Sequence, residues 1–140
     1  MPAGRDEIVA LGRSWLGVPF RHCGRSPLEL DCFGHLIVVS RAAGFPVHDT
    51  PSRPYSTHVS PLYDRYLRRV LSAVEPSLAL AGDWFLLGDP KRDYGTHTGL
   101  VTGSGTMVHA CPVAGRVIEV PCDGTLMGKV KTALRYKGLV

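Results

Sequence analysis

The chain has 140 residues, of which 44% are hydrophobic and 20% are charged, and this balance is typical of a globular protein. The length leaves room for one compact domain over residues 1–140, with a core that needs no support from disulfides or metals. Lys and Arg outnumber Asp and Glu by 16 to 12, which suits anionic partners, although a merely basic surface explains the charge equally well.

The first residues become amphipathic at once and lack the apolar region of a signal peptide. No apolar run is long enough to span a bilayer, so we expect no membrane insertion. We expect synthesis in the cytoplasm without a signal peptide, and a substrate outside the cytoplasm would then require delivery by other means. The four cysteines form no CxxC pair, and free thiols are expected for Cys23, Cys32, Cys111 and Cys122.

The first predicted helix covers residues 5–16 and ends at Gly17. Its apolar stripe contains Ile8, Leu11, Trp15 and Leu16. Residues 18–31 are predicted to form a loop that carries several polar side chains.

The second predicted helix runs between Asp31 as N-cap and Gly44 as C-cap, with Pro46 just beyond its end. A run of β-branched residues in its middle is also compatible with a strand, but the two caps favour a helix. The cluster predicts a helix sunk in the core, with a buried face formed by Leu36, Val39 and Ala43.

Residues 45–59 form a connector rich in Pro, Ser and His. Ser60 is expected to cap a third helix that begins at Pro61 and ends before Pro76. The side chains expected to point inward are Leu62, Tyr66, Leu67, Val70 and Leu71. Beyond Gly82 the pattern changes to strands, at 83–87, 96–102, 106–110, 115–120 and 132–137. Helices followed by about five antiparallel strands indicate an α+β fold.

Cys32 follows the predicted cap directly, so its sulfur is expected at a helix N-terminus. Unsatisfied N–H groups and the helix dipole stabilise a thiolate there and lower the thiol pKa. Such a thiolate is a competent nucleophile when a histidine lies within reach. The alternative is a small buried residue with no chemical role, since free cysteine is among the most buried residue types.

His97 and His109 lie in two predicted strands joined by Gly103-Ser104-Gly105. A three-residue loop with glycine in the left-handed position pairs Gly99 with His109 and puts both histidines on one face. The two histidines are then diagonal neighbours, and Gly99 is expected to leave open space beside their rings. This geometry suits His97 as the base for Cys32 and His109 as the group that orients the His97 ring. Each histidine alone is equally explained as a hydrogen-bonded, partly buried residue.

These motifs resemble the NlpC family of cell-wall peptidases, which have a circularly permuted papain-like fold. The matching segments are Gly17-Val18-Pro19-Phe20, Asp31-Cys32-Phe33-Gly34, His97-Thr98-Gly99-Leu100 and Val108-His109-Ala110, together with Gly82-Asp83 at the first strand of the sheet. The likeness covers nearly the whole chain. It is greatest to the short peptidases of phage tails and gene transfer agents, which share stretches like Pro19-Phe20-Arg21-His22 and Ala133-Leu134-Arg135-Tyr136.

The resemblance implies that Cys32, His97 and His109 are the nucleophile, the base and the third polar residue. It implies a cysteine peptidase that hydrolyses an amide bond of peptidoglycan stem peptides, with no cofactor, no metal and no nucleic acid partner. The expected setting is a phage-like tail, with other tail-tip proteins as partners, acting in the periplasm or cell wall of a target cell. Asp31 is similar to the residue that meets the free amine of the stem peptide, besides serving as an N-cap.

Two departures from the family pattern concern substrate binding. The family tyrosine is Phe20 here, so we expect no phenolic hydroxyl near the oxyanion, and His22 is a candidate replacement donor. The serine after the nucleophile is Phe33, which we expect to alter the preference for the γ-D-glutamyl bond to the diamino acid. Phe20, His22, Asp31, Phe33 and Gly99 are therefore the expected substrate-binding residues.

Three alternatives to a cell-wall peptidase remain open. A zinc site formed by His22, Cys23, Cys32 and His35 is compatible with the residue types but follows no common ligand spacing. A tail assembly or structural protein of the same fold, cleaving a tail protein or lacking catalysis, is the second. Thiol-based acyl transfer on lipids is the third, and the lack of a membrane-binding apolar segment argues against it.

Overall fold

The computed structural model describes residues 1–48 and 61–140. The helices in this part of the chain are α1 (Arg5–Arg13), α2 (Cys32–Ala43), α3 (Pro61–Val70) and α4 (Gly124–Met127), with a short 3₁₀ turn at Pro76–Leu78. The strands are β1 (Arg25–Ser26), β2 (Glu29–Leu30), β3 (Ser72–Val74), β4 (Trp84–Leu87), β5 (His97–Val101), β6 (Thr106–Cys111), β7 (Arg116–Pro121) and β8 (Val130–Arg135).

The main sheet has six strands in the order β3-β8-β4-β5-β6-β7, and every neighbouring pair is antiparallel. Strands β1 and β2 form a separate two-stranded hairpin just before α2. Helices α1 and α2 pack against each other and against the middle of the main sheet. The predicted α+β fold is therefore confirmed, with six strands in the main sheet rather than about five.

The larger core lies between α1, α2 and one face of the sheet. A row of apolar side chains crosses three strands, because Trp84 pairs with Leu100 and Leu100 with Val108. Leu36 and Ile37 of α2 are fully buried in the same cluster. The apolar contacts of this layer fix α2 on the sheet and so fix the position of its first turn.

A buried polar chain adds hydrogen bonds to this apolar contact. The Tyr136 hydroxyl lies 2.6 Å from Ser40 Oγ on α2 and accepts the Trp84 indole N–H at 3.0 Å. The Ser40 hydroxyl donates to the Leu36 carbonyl at 2.6 Å. Because each polar atom in this chain has a partner, the layer avoids the cost of an unpaired buried group.

The predicted caps of α2 are confirmed. The Asp31 carboxylate accepts the Gly34 N–H at 2.7 Å, and Gly44 has φ of 81°, the left-handed conformation typical of a C-cap glycine. The expected buried residues Leu36, Val39 and Ala43 are all in the core. Burial on nearly all sides explains why the β-branched residues of α2 do not favour a strand: tertiary packing outweighs their weak intrinsic preference.

The predicted register of the β5–β6 hairpin is confirmed as well. Leu100 pairs with Val108 and Val101 with Met107, a register that sets Gly99 opposite His109. The loop Gly103–Gly105 is three residues long, with φ of 84° at Gly103 and 77° at Gly105. Left-handed glycines allow this tight reversal, and the reversal sets which side chains share a face.

Several predicted boundaries are wrong. Helix α1 ends at Arg13, so Trp15 lies beyond the helix and Leu16 is 43% exposed. In α3 the expected inward residue Leu62 is 67% exposed, and the predicted Ser60 cap lies outside the described residues. The sequence patterns also missed β3, α4 and the hairpin within the predicted 18–31 loop. Each of these elements is too short to show periodicity.

No helix in the two described ranges is long and apolar enough to cross a membrane.

Asp83 joins the two ends of the chain. Its fully buried carboxylate is bonded to Arg135 at 2.8 and 3.0 Å, to Arg5 at 3.1 Å and to the Leu80 N–H at 2.8 Å. Arg5 begins α1 and Arg135 ends β8, so a single carboxylate connects the first helix to the last strand. The charge is tolerated in the interior only because two guanidinium groups and a backbone N–H surround it.

We expect Asp83→Ala to lower the free energy of unfolding by about 3–5 kcal/mol, because it leaves two guanidinium groups without their carboxylate. The measurement is urea denaturation followed by circular dichroism. Asp93→Ala, at an exposed position, is the matched control and is expected to change stability by less than about 0.5 kcal/mol. Similar stability for both variants would contradict the role assigned to Asp83.

Candidate active site

The first turn of α2 is held in place by the Asp31 carboxylate. Besides the Gly34 N–H, it accepts the Cys23 N–H at 2.8 Å and the Arg25 guanidinium at 2.8 Å. Gly34 has to be a glycine, because a Cβ there would lie 2.1 Å from the Gly24 carbonyl oxygen. The Asp-Cys-x-Gly pattern therefore has a local cause: one residue caps the helix and another admits the preceding loop.

Cys32 lies at the start of α2 and faces the beginning of β5. Its sulfur is 3.9 Å from the Thr96 carbonyl oxygen, which belongs to the peptide bond between Thr96 and His97. The Thr98 hydroxyl donates to the Cys32 carbonyl at 3.3 Å. Two contacts on either side of His97 thus place the thiol against the strand that carries the expected base.

His97 and His109 are in direct contact, as predicted from the hairpin register. His97 Nε2 lies 2.7 Å from His109 Nδ1, and the rings meet edge to face with centroids 4.9 Å apart. With Nε2 of His97 engaged by His109, Nδ1 is the nitrogen left to accept a proton from a nucleophile. The contact holds the His97 ring in one orientation, as the expected role of His109 requires.

The protonation states of Cys32 and His97 differ from expectation. Desolvation, and after it the negative charge of Asp31, raises the pKa of the Cys32 thiol to about 12. Desolvation and the neighbouring His109 lower the pKa of His97 to about 3. The expected lowering of the Cys32 pKa by the helix N-terminus is therefore wrong: the adjacent carboxylate and the low-polarity surroundings outweigh the helix dipole, and both groups rest in their neutral forms.

Tyr63 is a member of the site that the sequence patterns missed. Its hydroxyl lies 3.0 Å from Thr98 Oγ1 and is close enough to the Cys32 thiol to lower the thiol pKa. Desolvation raises the pKa of Tyr63 well above its ordinary value, so the phenol stays protonated and able to donate. We expected no phenolic hydroxyl near the oxyanion because Phe20 stands in place of the family tyrosine; α3 nevertheless supplies one near Cys32.

A signal for Tyr63 was present in the helical spacing. Tyr63 lies one turn before Tyr66 and Leu67, so the three residues share a face. The inward-facing residue of this turn is therefore Tyr63 rather than the expected Leu62. Helix α3 is tied to the site by Asp64, which accepts the Gly95 N–H at 2.6 Å. That hydrogen bond holds the residues just before β5 against the first turn of α3.

Three of the expected substrate-binding residues have packing roles instead. Phe33 is 2% exposed, and its ring packs 5.1 Å from the Tyr63 ring, which helps to position that phenol. Gly99 is buried, and a Cβ there would lie 2.1 Å from Met107 Sδ, so the expected open space beside the histidines is filled by Met107. Phe20 is partly buried against the core and donates its N–H to the Gly115 carbonyl.

Only part of the ligand set expected for a zinc site comes together among the described residues. Among the described residues, ligand atoms of His22, Cys23 and Asp31 lie within 4.8 Å of one another. Asp31 is already paired with Arg25, whose charge opposes a cation at the same carboxylate. His35, a member of the expected zinc set, is instead buried beside Trp84 with Nε2 3.1 Å from the Gly12 carbonyl oxygen. The residues do not fit a four-ligand zinc site.

Solved structures of NlpC/P60 proteins have the same fold as this chain. An NlpC/P60 family protein from Bacillus cereus is 21% identical with a TM-score of 0.77, over 97% of this chain. The peptidoglycan hydrolase RipB from Mycobacterium tuberculosis is 21% identical with a TM-score of 0.71, over 94% of this chain. RipD from the same organism, described as a non-catalytic NlpC/p60 domain protein adapted to peptidoglycan binding, is 20% identical with a TM-score of 0.68, over 94% of this chain.

The chain spans only part of some of these proteins. It covers 41% of the Bacillus cereus protein and 64% of RipB, but 95% of RipD. No family model and no curated protein sequence matches the chain. The similarity therefore establishes the NlpC/P60 type of papain-like fold.

We expect the alkylation rate of Cys32 by iodoacetamide to rise about tenfold per pH unit between pH 7 and 9.5, without a plateau. The reason is that a thiol whose pKa is raised to about 12 gains thiolate in proportion to hydroxide until that pKa is approached. Mass spectrometry of the peptide that contains Cys32 gives the rate. A plateau below pH 8 would show a low pKa and contradict the assignment.

Tyr63→Phe serves as the matched variant in the same assay. The Tyr63 hydroxyl lowers the Cys32 pKa. Removing that hydroxyl is therefore expected to slow alkylation of Cys32 several-fold at every pH in this range. The rate at Cys122 is the internal control and is expected to stay unchanged.

Proposed function

We propose that this chain is a cysteine peptidase of the NlpC/P60 family that hydrolyses an amide bond in peptidoglycan stem peptides. The observation that carries the proposal is the position of Cys32: its sulfur lies against the Thr96–His97 peptide bond, while His97 is held by His109 at 2.7 Å. The fold shared with RipB, named as a peptidoglycan hydrolase, supports wall peptide as the substrate.

In the proposed reaction, His97 Nδ1 removes the Cys32 proton as the sulfur attacks the amide carbonyl. Because both groups rest in neutral form, proton transfer accompanies attack and no stable thiolate precedes the substrate. The protonated His97 then gives that proton to the leaving amine, and the C–N bond breaks to leave a thioester on Cys32. Water attacks the thioester with His97 again as base, which releases the acid and restores the thiol.

His109 supports each of these proton transfers by fixing the His97 tautomer. When His97 Nε2–H donates to His109 Nδ1, His97 Nδ1 carries the lone pair that the reaction needs. Desolvation lowers the His109 pKa as well, so a neutral acceptor is present at neutral pH. His109 is therefore suited to orient the His97 ring without competing for the proton that His97 accepts.

Two donors are available for the oxyanion that forms during attack. One is the backbone N–H of Cys32 at the N-terminus of α2, where helix N–H groups lack intrahelical partners. The other is the Tyr63 hydroxyl, which is close enough to the Cys32 thiol to lower the thiol pKa. In this proposal Tyr63 takes the place that His22 was expected to fill.

We further propose that the enzyme acts as a component of a phage-like tail or gene transfer agent and opens the wall of a target cell during delivery. Support comes from the stretch Pro19–His22 and the final strand, which resemble the short tail peptidases. Synthesis in the cytoplasm followed by assembly with tail-tip proteins gives such an enzyme a route to the wall.

A second candidate is a protein of the same fold without catalysis, or one that cleaves a tail protein. RipD, described as non-catalytic and adapted to peptidoglycan binding, shows that this fold also serves binding. Cys32 lies against the start of β5, and His97 and His109 are in contact. Keeping all three residues favours catalysis, since binding alone requires none of them.

Cys32→Ala is expected to abolish digestion of purified peptidoglycan, because no other group can form the thioester. Mass spectrometry of the released muropeptides measures the reaction and reports which bond is cut. Cys122→Ala is the control and should digest like the wild type. Turnover by Cys32→Ala would refute the nucleophile, and inactivity of the wild type on wall peptide would favour the second candidate.

His97→Ala is expected to lower kcat/KM by on the order of 10³-fold, as loss of a general base does. His109→Ala should cost less, on the order of ten- to a hundredfold, because water can partly replace an orienting group. Steady-state rates on a synthetic stem peptide measure both losses. A larger loss at His109 would reverse the two roles.

A further inference from the structure

The carboxylate next to the nucleophile is almost entirely covered by protein. Asp31 is 3% exposed, and its two oxygens receive donors from three directions: the Cys23 and Gly34 N–H groups and the Arg25 guanidinium. An ammonium group of a ligand can pair with a carboxylate only by reaching an oxygen and replacing water or another donor. Each Asp31 oxygen already accepts a hydrogen bond, and the carboxylate is paired with Arg25.

Arg25 occupies the position that a ligand cation would take. Its Nη1 lies 2.8 Å from Asp31 Oδ1 and 2.9 Å from the Gly24 carbonyl oxygen, and its guanidinium sits 5.1 Å from the centre of the Phe33 ring. The Arg25 side chain is only 13% exposed. An ion pair shielded in this way is stronger than an exposed one and is costly to break by removing one partner.

The other side of the carboxylate is covered by the loop before α2. Side-chain atoms of His22 and Cys23 lie within 4.8 Å of the Asp31 carboxylate. Cys23 adopts φ of 64°, a conformation uncommon for a residue with a Cβ, and its N–H points at Asp31 Oδ2. The loop is thus shaped around the carboxylate, and this shape leaves Asp31 inside the protein.

We propose that Arg25 makes the enzyme selective for substrates that carry no free ammonium group on the acyl side of the cut, with Arg25 as the specificity-determining residue. This inference rests on the proposed peptidase function. The acyl carbon of the substrate becomes attached to Cys32, the residue after Asp31, and the proposal places the first amine of the acyl part beside Asp31. An ammonium there meets a carboxylate already neutralised by Arg25 and loses its hydration without gaining a partner.

The substrate class follows from the chemistry of the stem peptide. In an intact glycan strand the first amine of the stem is acylated by the sugar's lactyl group, whereas a stem released from the sugar carries a free ammonium. The neutral Asp31–Arg25 pair suits the first of these. The enzyme is therefore assigned to wall-attached stem peptides rather than to released fragments.

The test compares two synthetic stem peptides, L-Ala-γ-D-Glu-diamino acid with the first amine either free or acetylated. We expect the wild type to cleave the acetylated peptide with kcat/KM at least about tenfold higher, the factor that about 1.4 kcal/mol of lost solvation produces. Equal cleavage, or preference for the free amine, would overturn the proposal.

Variants of Arg25 show whether this residue is the cause. Arg25→Gln is expected to raise kcat/KM for the free-amine peptide about tenfold, chiefly through KM, because Asp31 then lacks its cation. Arg25→Lys keeps the positive charge and should keep the wild-type ratio. Arg21→Gln, which removes a nearby exposed cation paired with Glu29, is the matched control and should leave the ratio unchanged. An unchanged ratio in a folded Arg25→Gln would overturn the role of Arg25.

A binding measurement separates this proposal from the peptidase proposal. If the wild type cleaves neither peptide nor wall material, the peptidase function fails, and calorimetry with Cys32→Ala then decides the selectivity. Tighter binding of the acetylated peptide by about tenfold supports the inference. Equal binding, tighter binding of the free amine, or no binding of either peptide overturns it. Calorimetry also decides the matter if Arg25→Gln does not fold.

Discussion

The Asp31 carboxylate at the N-terminus of α2 is the contact on which the site depends. It caps the helix through Gly34, fixes the preceding loop through Cys23 and holds Arg25 in a shielded ion pair. Because it adjoins Cys32, its charge also raises the thiol pKa. A residue that orders the first turn of a helix therefore also affects the pKa of the thiol in that turn, and removing it would disturb both.

Cys32 and His97 therefore rest as a neutral thiol and a neutral imidazole rather than as a thiolate–imidazolium pair. Desolvation acts in opposite directions on the two groups, raising the pKa of Cys32 and lowering that of His97. Charge separation between them is unfavourable, and in the proposed reaction it occurs only when a substrate carbonyl is present to receive the sulfur. The proposed donors to the developing oxyanion are helix N–H groups and the Tyr63 hydroxyl. Stabilisation that appears only in the transition state raises the rate of the chemical step, whereas a preformed thiolate would also react with unintended electrophiles.

Aromatic packing connects the α3 helix to this site. The Phe33 ring packs against both the Arg25 guanidinium and the Tyr63 ring, so one buried side chain helps to position both the residue proposed to set selectivity and the phenol near Cys32. Asp64 ties the same helix to Gly95 just before β5. The bulky apolar residue after Cys32 is thus explained by packing against Tyr63 and Arg25.

The sequence by itself determined the α+β order of elements, both caps of α2, the register of the β5–β6 hairpin and the contact between His97 and His109. These features depend on local signals: cap residues, loop length and the alternation of side chains along strands. Only the tertiary structure decided the pKa directions, the burial of Asp31 and Phe33, the filling of the space beside Gly99 by Met107, and the presence of Tyr63. Those properties depend on which distant segments meet, such as α3 with β5 and the Arg25 loop with α2, and desolvation at a point is the sum of all atoms around it. Spacing along one chain carries no measure of that sum.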